Sequence, residues 1–181
     1  MTKEQFEKFV EQRDRASKEA KPIDWESRKR DWLEDLAGFY STIEGYLAEY
    51  KNSGKLKVER SRVSLTEQYI GTYQADSMAI LIGSDKVTLV PVGTLIIGAR
   101  GRVDMAGPAG TVKFILAGRD SDGIRISVTV AGENQPGPEV QPRPIAREEF
   151  VWKIATPPPR IRFIELEPET FFSALTEVVD G

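Results

Sequence analysis

The stretch Lys86–Leu116 constrains the fold more than any other part of the sequence. It reads KVTLVPVGTLIIGARGRVDMAGPAGTVKFIL, and it is dominated by Val, Ile, Leu, Thr and Phe, residue types that favour the pleated surface of a β-sheet. Turn residues interrupt it too often for a helix of ordinary length. Gly107–Gly110, with the sequence GPAG, is typical of a tight turn. The stretch therefore predicts a hairpin of residues 100–106 with 111–117 at the centre of an antiparallel sheet.

Side-chain alternation in this stretch indicates how the sheet is covered. Val112, Phe114 and Leu116 alternate with more polar neighbours, which predicts one buried and one partly wet face. The segment 95–97, Leu-Ile-Ile, shows no alternation, and a strand that is apolar on both sides is typically covered on both sides. We therefore expect another layer of structure to lie over this sheet.

Two amphipathic helices precede the sheet. Residues 2–20 carry apolar side chains at three- and four-residue spacing, which predicts a helix with a narrow apolar stripe. That stripe contains Phe6, Phe9, Val10 and Ala16. A second helix is predicted over residues 25–51, because Asp24 is a good N-cap and Asn-Ser-Gly follows the last turn.

The second predicted helix has two adjacent apolar seams. One follows strict three-four spacing, and the other recurs every seven residues as Trp25, Trp32, Phe39 and Tyr46. So wide a stripe is typical of a helix that faces a core, and we expect this face to cover the sheet and to pack on the first helix. In the alternative interpretation, the four aromatic residues bind a protein partner or form a homodimer, since an exposed apolar patch of this size is unusual on a monomer.

The rest of the chain predicts further short strands separated by turns. They fall at residues 56–65, 69–73, 78–82, 86–90, 124–130, 150–154 and 161–163. Along the first of these strands, the apolar parity changes near Arg60, which means that the apolar side chains move from one face of the strand to the other. This change predicts a bulge or a bend. Residues 133–147 contain four prolines, and they predict an exposed or disordered loop. Pro168 suits the first turn of a final helix.

These patterns predict an α+β fold. Two N-terminal helices pack on a curved antiparallel sheet, or a barrel, of about seven to nine strands joined as a meander, and a C-terminal helix follows. Residues 1–53 form the helical layer, and residues 54–181 form the β-domain with its last helix. We expect the two parts to make one compact unit.

The sequence contains no histidine and no cysteine, which removes several classes of chemistry. Thiolate metal sites, disulfides and hydrolytic triads with a histidine base are excluded. An enzyme would have to use carboxylates, Lys, Tyr or Arg, and no motif for such chemistry is complete. We therefore expect a non-enzymatic protein with no catalytic residues, no cofactor and no metal.

One polar motif, Arg-x-Arg, recurs in three strand-like segments. The pairs are Arg60/Arg62, Arg100/Arg102 and Arg160/Arg162. A period of two puts both members of a pair on the same face of a strand. Together with Asp104, the pairs could form a ligand-binding face, because Arg grips phosphate and carboxylate bidentately. Alternatively, each pair is solvated and meets nearby acids such as Glu59, Asp104 and Glu165.

Three functions follow as hypotheses, of which the third is an enzyme that uses carboxylates. The first is a non-enzymatic binding or assembly protein whose helical layer contacts a protein partner or a second copy. The second is a domain that binds an anionic ligand, either nucleic acid or a phosphate headgroup, through the Arg-x-Arg face. A net charge of −3 argues against a dedicated nucleic-acid binder and leaves room for a local basic face. The charged N-terminus is not a signal peptide, and the apolar run 89–99 is too short to span a bilayer, so we expect a cytoplasmic protein.

Overall fold

The computed structural model describes residues 2–19, 22–94, 99–123 and 146–181. Within these ranges the chain forms three α-helices and seven β-strands. The helices are α1 (Lys3–Glu19), α2 (Trp25–Asn52) and α3 (Pro168–Asp180). The strands are β1 (Leu56–Glu67), β2 (Gly71–Ile82), β3 (Asp85–Gly93), β4 (Gly101–Ala106), β5 (Thr111–Gly118), β6 (Phe150–Ala155) and β7 (Phe163–Glu165). The predicted strands at 95–97 and 124–130, and most of the predicted loop 133–147, lie outside the described residues.

The strands form one antiparallel sheet in the order β1-β2-β3-β4-β5-β6-β7, which confirms the predicted meander. Among the described residues β1 and β7 are not paired with each other, so the sheet is open and the barrel alternative is wrong. The register of β1 with β2 runs without interruption from Leu56 to Glu67, so the bulge predicted near Arg60 is absent there. A register shift instead interrupts the pairing of β3 with β4 between Pro91 and Gly93.

Helix α2 covers one face of this sheet. Its start is fixed by the Asp24 carboxylate, which accepts a hydrogen bond from the Ser27 amide at 3.0 Å, the expected N-cap arrangement. The fully buried stripe of α2 consists of Trp32, Leu36, Phe39, Tyr40, Ile43 and Leu47. These side chains pack on the inward side chains of the sheet, which include Met78, Ile80, Leu89, Val103, Met105 and Phe114. The sheet and α2 therefore share one apolar core.

The position of α2 over β4 depends on a close approach between the backbone of Gly101 and the ring of Trp32. A Cβ atom built on Gly101 would lie 2.2 Å from Cζ3 of Trp32, which is far inside van der Waals contact. Only the absence of a side chain at residue 101 allows the indole to sit against the strand. Gly101 thus determines how closely α2 can pack on the sheet.

Helix α3 completes the core beside the C-terminal half of α2. Pro168 occupies the first turn, and the Thr170 hydroxyl accepts a hydrogen bond from the Glu167 amide at 2.9 Å. Phe171 packs against Tyr46 of α2 with ring centroids 5.9 Å apart. The carbonyl of Val178 accepts a hydrogen bond from the Ala109 amide at 2.9 Å, so α3 also binds the β4–β5 turn.

Candidate interaction surfaces

Helix α1 differs from α2 in its exposure. Residues 2–12 are all exposed, whereas we expected α1 to pack on α2. Phe6 and Val10 lie one helical turn apart and are 54% and 46% exposed, respectively. Phe6 also stacks on Phe9 with ring centroids 6.4 Å apart, and Phe9 is 49% exposed. Helix α1 therefore presents an apolar stripe to solvent, which we call the α1 stripe and define as Phe6, Phe9 and Val10.

The four aromatic residues predicted to bind a partner lie against other parts of the chain. Trp32 and Phe39 are each 1% exposed, and their rings lie 6.1 and 4.5 Å, respectively, from that of Trp152. Trp25 is partly buried and stacks on Tyr69 at 4.9 Å. The Tyr46 hydroxyl donates to the Leu166 carbonyl at 3.3 Å. In this fold the seam is used within the chain, and Trp32 and Phe39 present almost no surface to a partner.

The arginines of β1 are each matched with an acid. The Arg60 Nε donates to Oε1 of Glu44 on α2 at 3.0 Å, and its guanidinium lies over the Tyr40 ring at 4.8 Å from the centroid. Arg62 is largely exposed and lies 3.7 Å from Asp76 of β2. Exposed ion pairs of this kind contribute little to stability, so the Arg60/Arg62 pair resembles a solvated charged surface.

The arginines around the start of β4 point to different sides of the sheet. Arg100 reaches α2, where its Nη2 lies 3.2 Å from Oδ2 of Asp31, and its guanidinium covers the Phe150 ring at 5.1 Å. Arg102 lies on the face away from α2, because it alternates with the buried Gly101 and Val103. There its Nε and Nη2 donate to the two oxygens of Asp104, each at 2.6 Å, and these bonds raise the pKa of Arg102.

The third pair lies in the connection between β6 and β7. Arg160 and Arg162 are both exposed, and their backbone groups bind the Thr156 hydroxyl at 3.0 and 2.8 Å. Strands β1 and β4 are separated by two other strands, hence by about 14 Å at the usual strand spacing. Among the described residues the three pairs therefore lie at separate places in the sheet. The arginines of the first two pairs form ion pairs with acidic side chains.

A charged cluster on α2 was missed by sequence reasoning. Arg147 donates to Oδ1 of Asp31 at 3.0 Å, to Glu34 at 2.9 Å and to Asp35 at 3.2 Å. Burial raises the pKa of Asp35, although the bond from Arg147 and its charge act in the opposite direction. The acids at i, i+3 and i+4 were a visible signal of one charged helix face. Their shared partner, Arg147, lies 112 residues after Asp35 in the sequence. No local sequence pattern indicates that these residues meet.

A second missed cluster surrounds the buried carboxylate of Glu67, at the end of β1. Glu67 accepts hydrogen bonds from the amide of Thr94 at 2.8 Å and from its hydroxyl at 2.9 Å. It also accepts a bond from the Tyr73 hydroxyl, and burial together with this bond raises the pKa of Tyr73. The Thr94 carbonyl in turn accepts from Arg28 Nη2 at 2.8 Å. The carboxylate thus links the β1–β2 hairpin to the end of β3, and its bonds indicate a structural role.

The chain matches no protein-family model, no curated protein and no solved structure in the comparisons made. No helix in the described part of the chain combines the length and apolar character needed to cross a membrane. Across the same residues, no group of three or more acidic side chains is arranged to hold a metal ion.

Proposed function

We propose that this chain is a non-enzymatic binding and assembly protein, that its contact surface is the α1 stripe, and that its partner is a second copy of the same chain. The exposure of Phe6 and Val10 carries the proposal. Large apolar side chains grouped on one exposed helix face mark interaction sites. In proteins, most of the stability of an amphipathic helix such as α1, which has 17 residues, comes from packing of its apolar face.

The charge of α1 favours a protein partner over a lipid surface. Helices that lie on membranes carry mainly basic residues on their polar face. In contrast, α1 has five basic and five acidic residues. Because this balance creates no net repulsion between two copies, an antiparallel pair of α1 helices can bring Phe6 of each copy against Val10 of the other. Such a self-complementary contact is the usual form of a two-fold dimer.

Sedimentation equilibrium on the full chain tests this proposal. We expect the wild-type mass to rise with concentration from the monomer value of 20.2 kDa towards twice that value. The double variant Phe6→Glu/Val10→Glu should remain monomeric, because each copy would place two buried charges in the interface. The matched control is Val90→Glu/Val92→Glu on β3, where the original side chains are 40% and 44% exposed. This control should dimerise as the wild type does.

Two results would overturn the proposal. The first is a wild-type mass that stays at the monomer value over the whole concentration range. The second is a dimer that survives Phe6→Glu/Val10→Glu and is lost in Val90→Glu/Val92→Glu, since this pattern would place the contact on the sheet.

A further inference from the structure

The face of the sheet that points away from α2 carries a cavity of about 330 Å³. This volume lies within the range of small-molecule sites, roughly 300–1,000 Å³. Strands β5 and β6 provide its floor through Ile115 and Ala155, and the connection to β7 provides a wall. The apolar wall residues are Pro157, Pro158, Ile161 and Phe163. The lining is thus mainly apolar, and it comes from strands β4 to β7, from the connection between β6 and β7, and from Glu177 of α3.

Hydrogen bonds hold the β6–β7 connection in place. The amide of Thr156 donates to the carbonyl of Arg162 at 2.9 Å, and the Thr156 hydroxyl bonds again within the same turn. On the other side, the Phe163 amide donates to the carbonyl of Asp122 at 3.1 Å. The connection is closed at both ends, so the cavity wall is formed before any ligand binds, which lowers the entropic cost of binding.

The segment 119–123 is itself fixed to the sheet by a buried lysine. Lys153 is 4% exposed, and its Nζ donates to the carbonyls of Arg119 and Ser121 at 2.6 and 2.7 Å. A buried ammonium with these partners holds the segment firmly against β6. The wall of the cavity therefore rests on a second, independently anchored segment.

Among the residues that the structure describes, three charged side chains line the cavity, namely Arg102, Lys113 and Glu177. Arg102 is committed to Asp104, which accepts from it through both carboxylate oxygens. Asp104 is also the residue opposite Lys113 in the β4–β5 ladder, yet within the described residues Lys113 makes no ion pair. With Arg102 paired to Asp104, the charged lining side chains that remain in the described part of the chain are Lys113 and Glu177, and the ammonium of Lys113 is available for a ligand.

We propose that this cavity binds a small molecule with an apolar body and one carboxylate. The apolar body packs on Ile115, Ile161 and Phe163, and the carboxylate pairs with Lys113 Nζ. A charge-assisted hydrogen bond at the edge of an apolar pocket fixes the orientation of such a ligand. This site lies on the sheet, so it is independent of the contact proposed for α1.

Isothermal titration calorimetry with octanoate, and with octanol as the uncharged probe, tests the proposal on the full chain. We expect saturable octanoate binding with one site per chain. Lys113→Met should weaken octanoate binding about tenfold and leave octanol binding unchanged. Lys86→Met is the matched control, because it removes an exposed lysine of β3 outside the cavity, and it should leave both affinities as in the wild type.

A second variant tests the position of the apolar body. Ala155→Leu extends a larger side chain from the floor and should remove binding of both probes, with circular dichroism showing that the sheet is retained. The absence of saturable octanoate binding to the wild type would overturn the proposal. The proposal would also be overturned if Lys113→Met bound octanoate as tightly as the wild type does. A folded Ala155→Leu variant with unchanged octanoate affinity would overturn it as well. If Ala155→Leu fails to fold, the exposed Lys113 substitution decides alone.

Discussion

Helices α1 and α2 both have amphipathic sequences, yet their apolar faces have different surroundings. The stripe of α2 is fully buried from Trp32 to Leu47, whereas residues 3–12 of α1 are all exposed. The stripe of α2 is wide and rich in aromatic residues, and that of α1 is narrow. A wide stripe is typical of a helix that packs on a sheet, and a narrow one of a helix that packs on a single partner helix. The width of an apolar stripe therefore predicts the kind of surface that a helix covers.

Replacement of one phenylalanine in each helix is the strongest test of this difference. Phe39→Ala should reduce the free energy of unfolding by about 3–5 kcal/mol, because it leaves a cavity among tightly packed rings. The rings of Phe114 and Trp152 lie 5.2 and 4.5 Å from that of Phe39. Phe6→Ala should change the same quantity by less than about 0.5 kcal/mol in the monomer. Urea unfolding at low protein concentration measures both, and similar losses would show that α1 also belongs to the core.

The close approach of α2 to β4 gives a smaller effect. Gly101→Ala should destabilise the chain by about 1–3 kcal/mol, because the added methyl group would overlap the Trp32 ring and force α2 away from the strand. Gly110→Ala is the matched control, since a Cβ at Gly110 meets nothing within 4 Å. Thermal unfolding followed by tryptophan fluorescence measures both variants. Equal melting temperatures for the two would contradict the packing described for Trp32.

The smallest expected effect concerns the charged edge of α2. Because burial raises the pKa of Asp35, the folded chain binds a proton at this carboxyl more tightly than the unfolded chain does. Its contribution to stability is therefore fully present below the unfolded pKa, about 3.9, and is lost as the pH rises through the folded-state pKa. The variant Asp35→Asn cannot ionise at this position and does not lose this contribution. Its free energy of unfolding relative to the wild type should therefore increase with pH, by less than about 1 kcal/mol.

The control for this effect is Glu34→Gln, which alters another acid bound to Arg147 whose side chain is 60% exposed. Chemical denaturation of both variants from acidic to neutral pH provides the measurement. The relative stability of Asp35→Asn should depend on pH more steeply than that of Glu34→Gln. Equal slopes would show that burial of Asp35 has no effect on its titration.

Features that depend on a few neighbouring residues were predicted correctly from the sequence. Asp24 caps α2, Pro168 begins α3, and the hairpin turns at residues 107–110. The change of apolar parity near Arg60 predicted a bulge or a bend, and the bulge is wrong because the register of β1 with β2 is uninterrupted. The Arg147 and Glu67 clusters were not predicted, since each joins segments that only the fold brings together.

The sequence by itself predicted most elements of this protein and their order, because caps, turns and side-chain periodicity act over a few residues. It divided β2, which runs from Gly71 to Ile82, into separate strands at residues 69–73 and 78–82. It also determined which chemistry is absent, since histidine and cysteine are missing throughout. Only the tertiary structure decided that the sheet stays open and that Arg100 and Arg102 diverge. It alone placed Lys113 beside an apolar cavity, because that arrangement depends on how distant strands and segments pack.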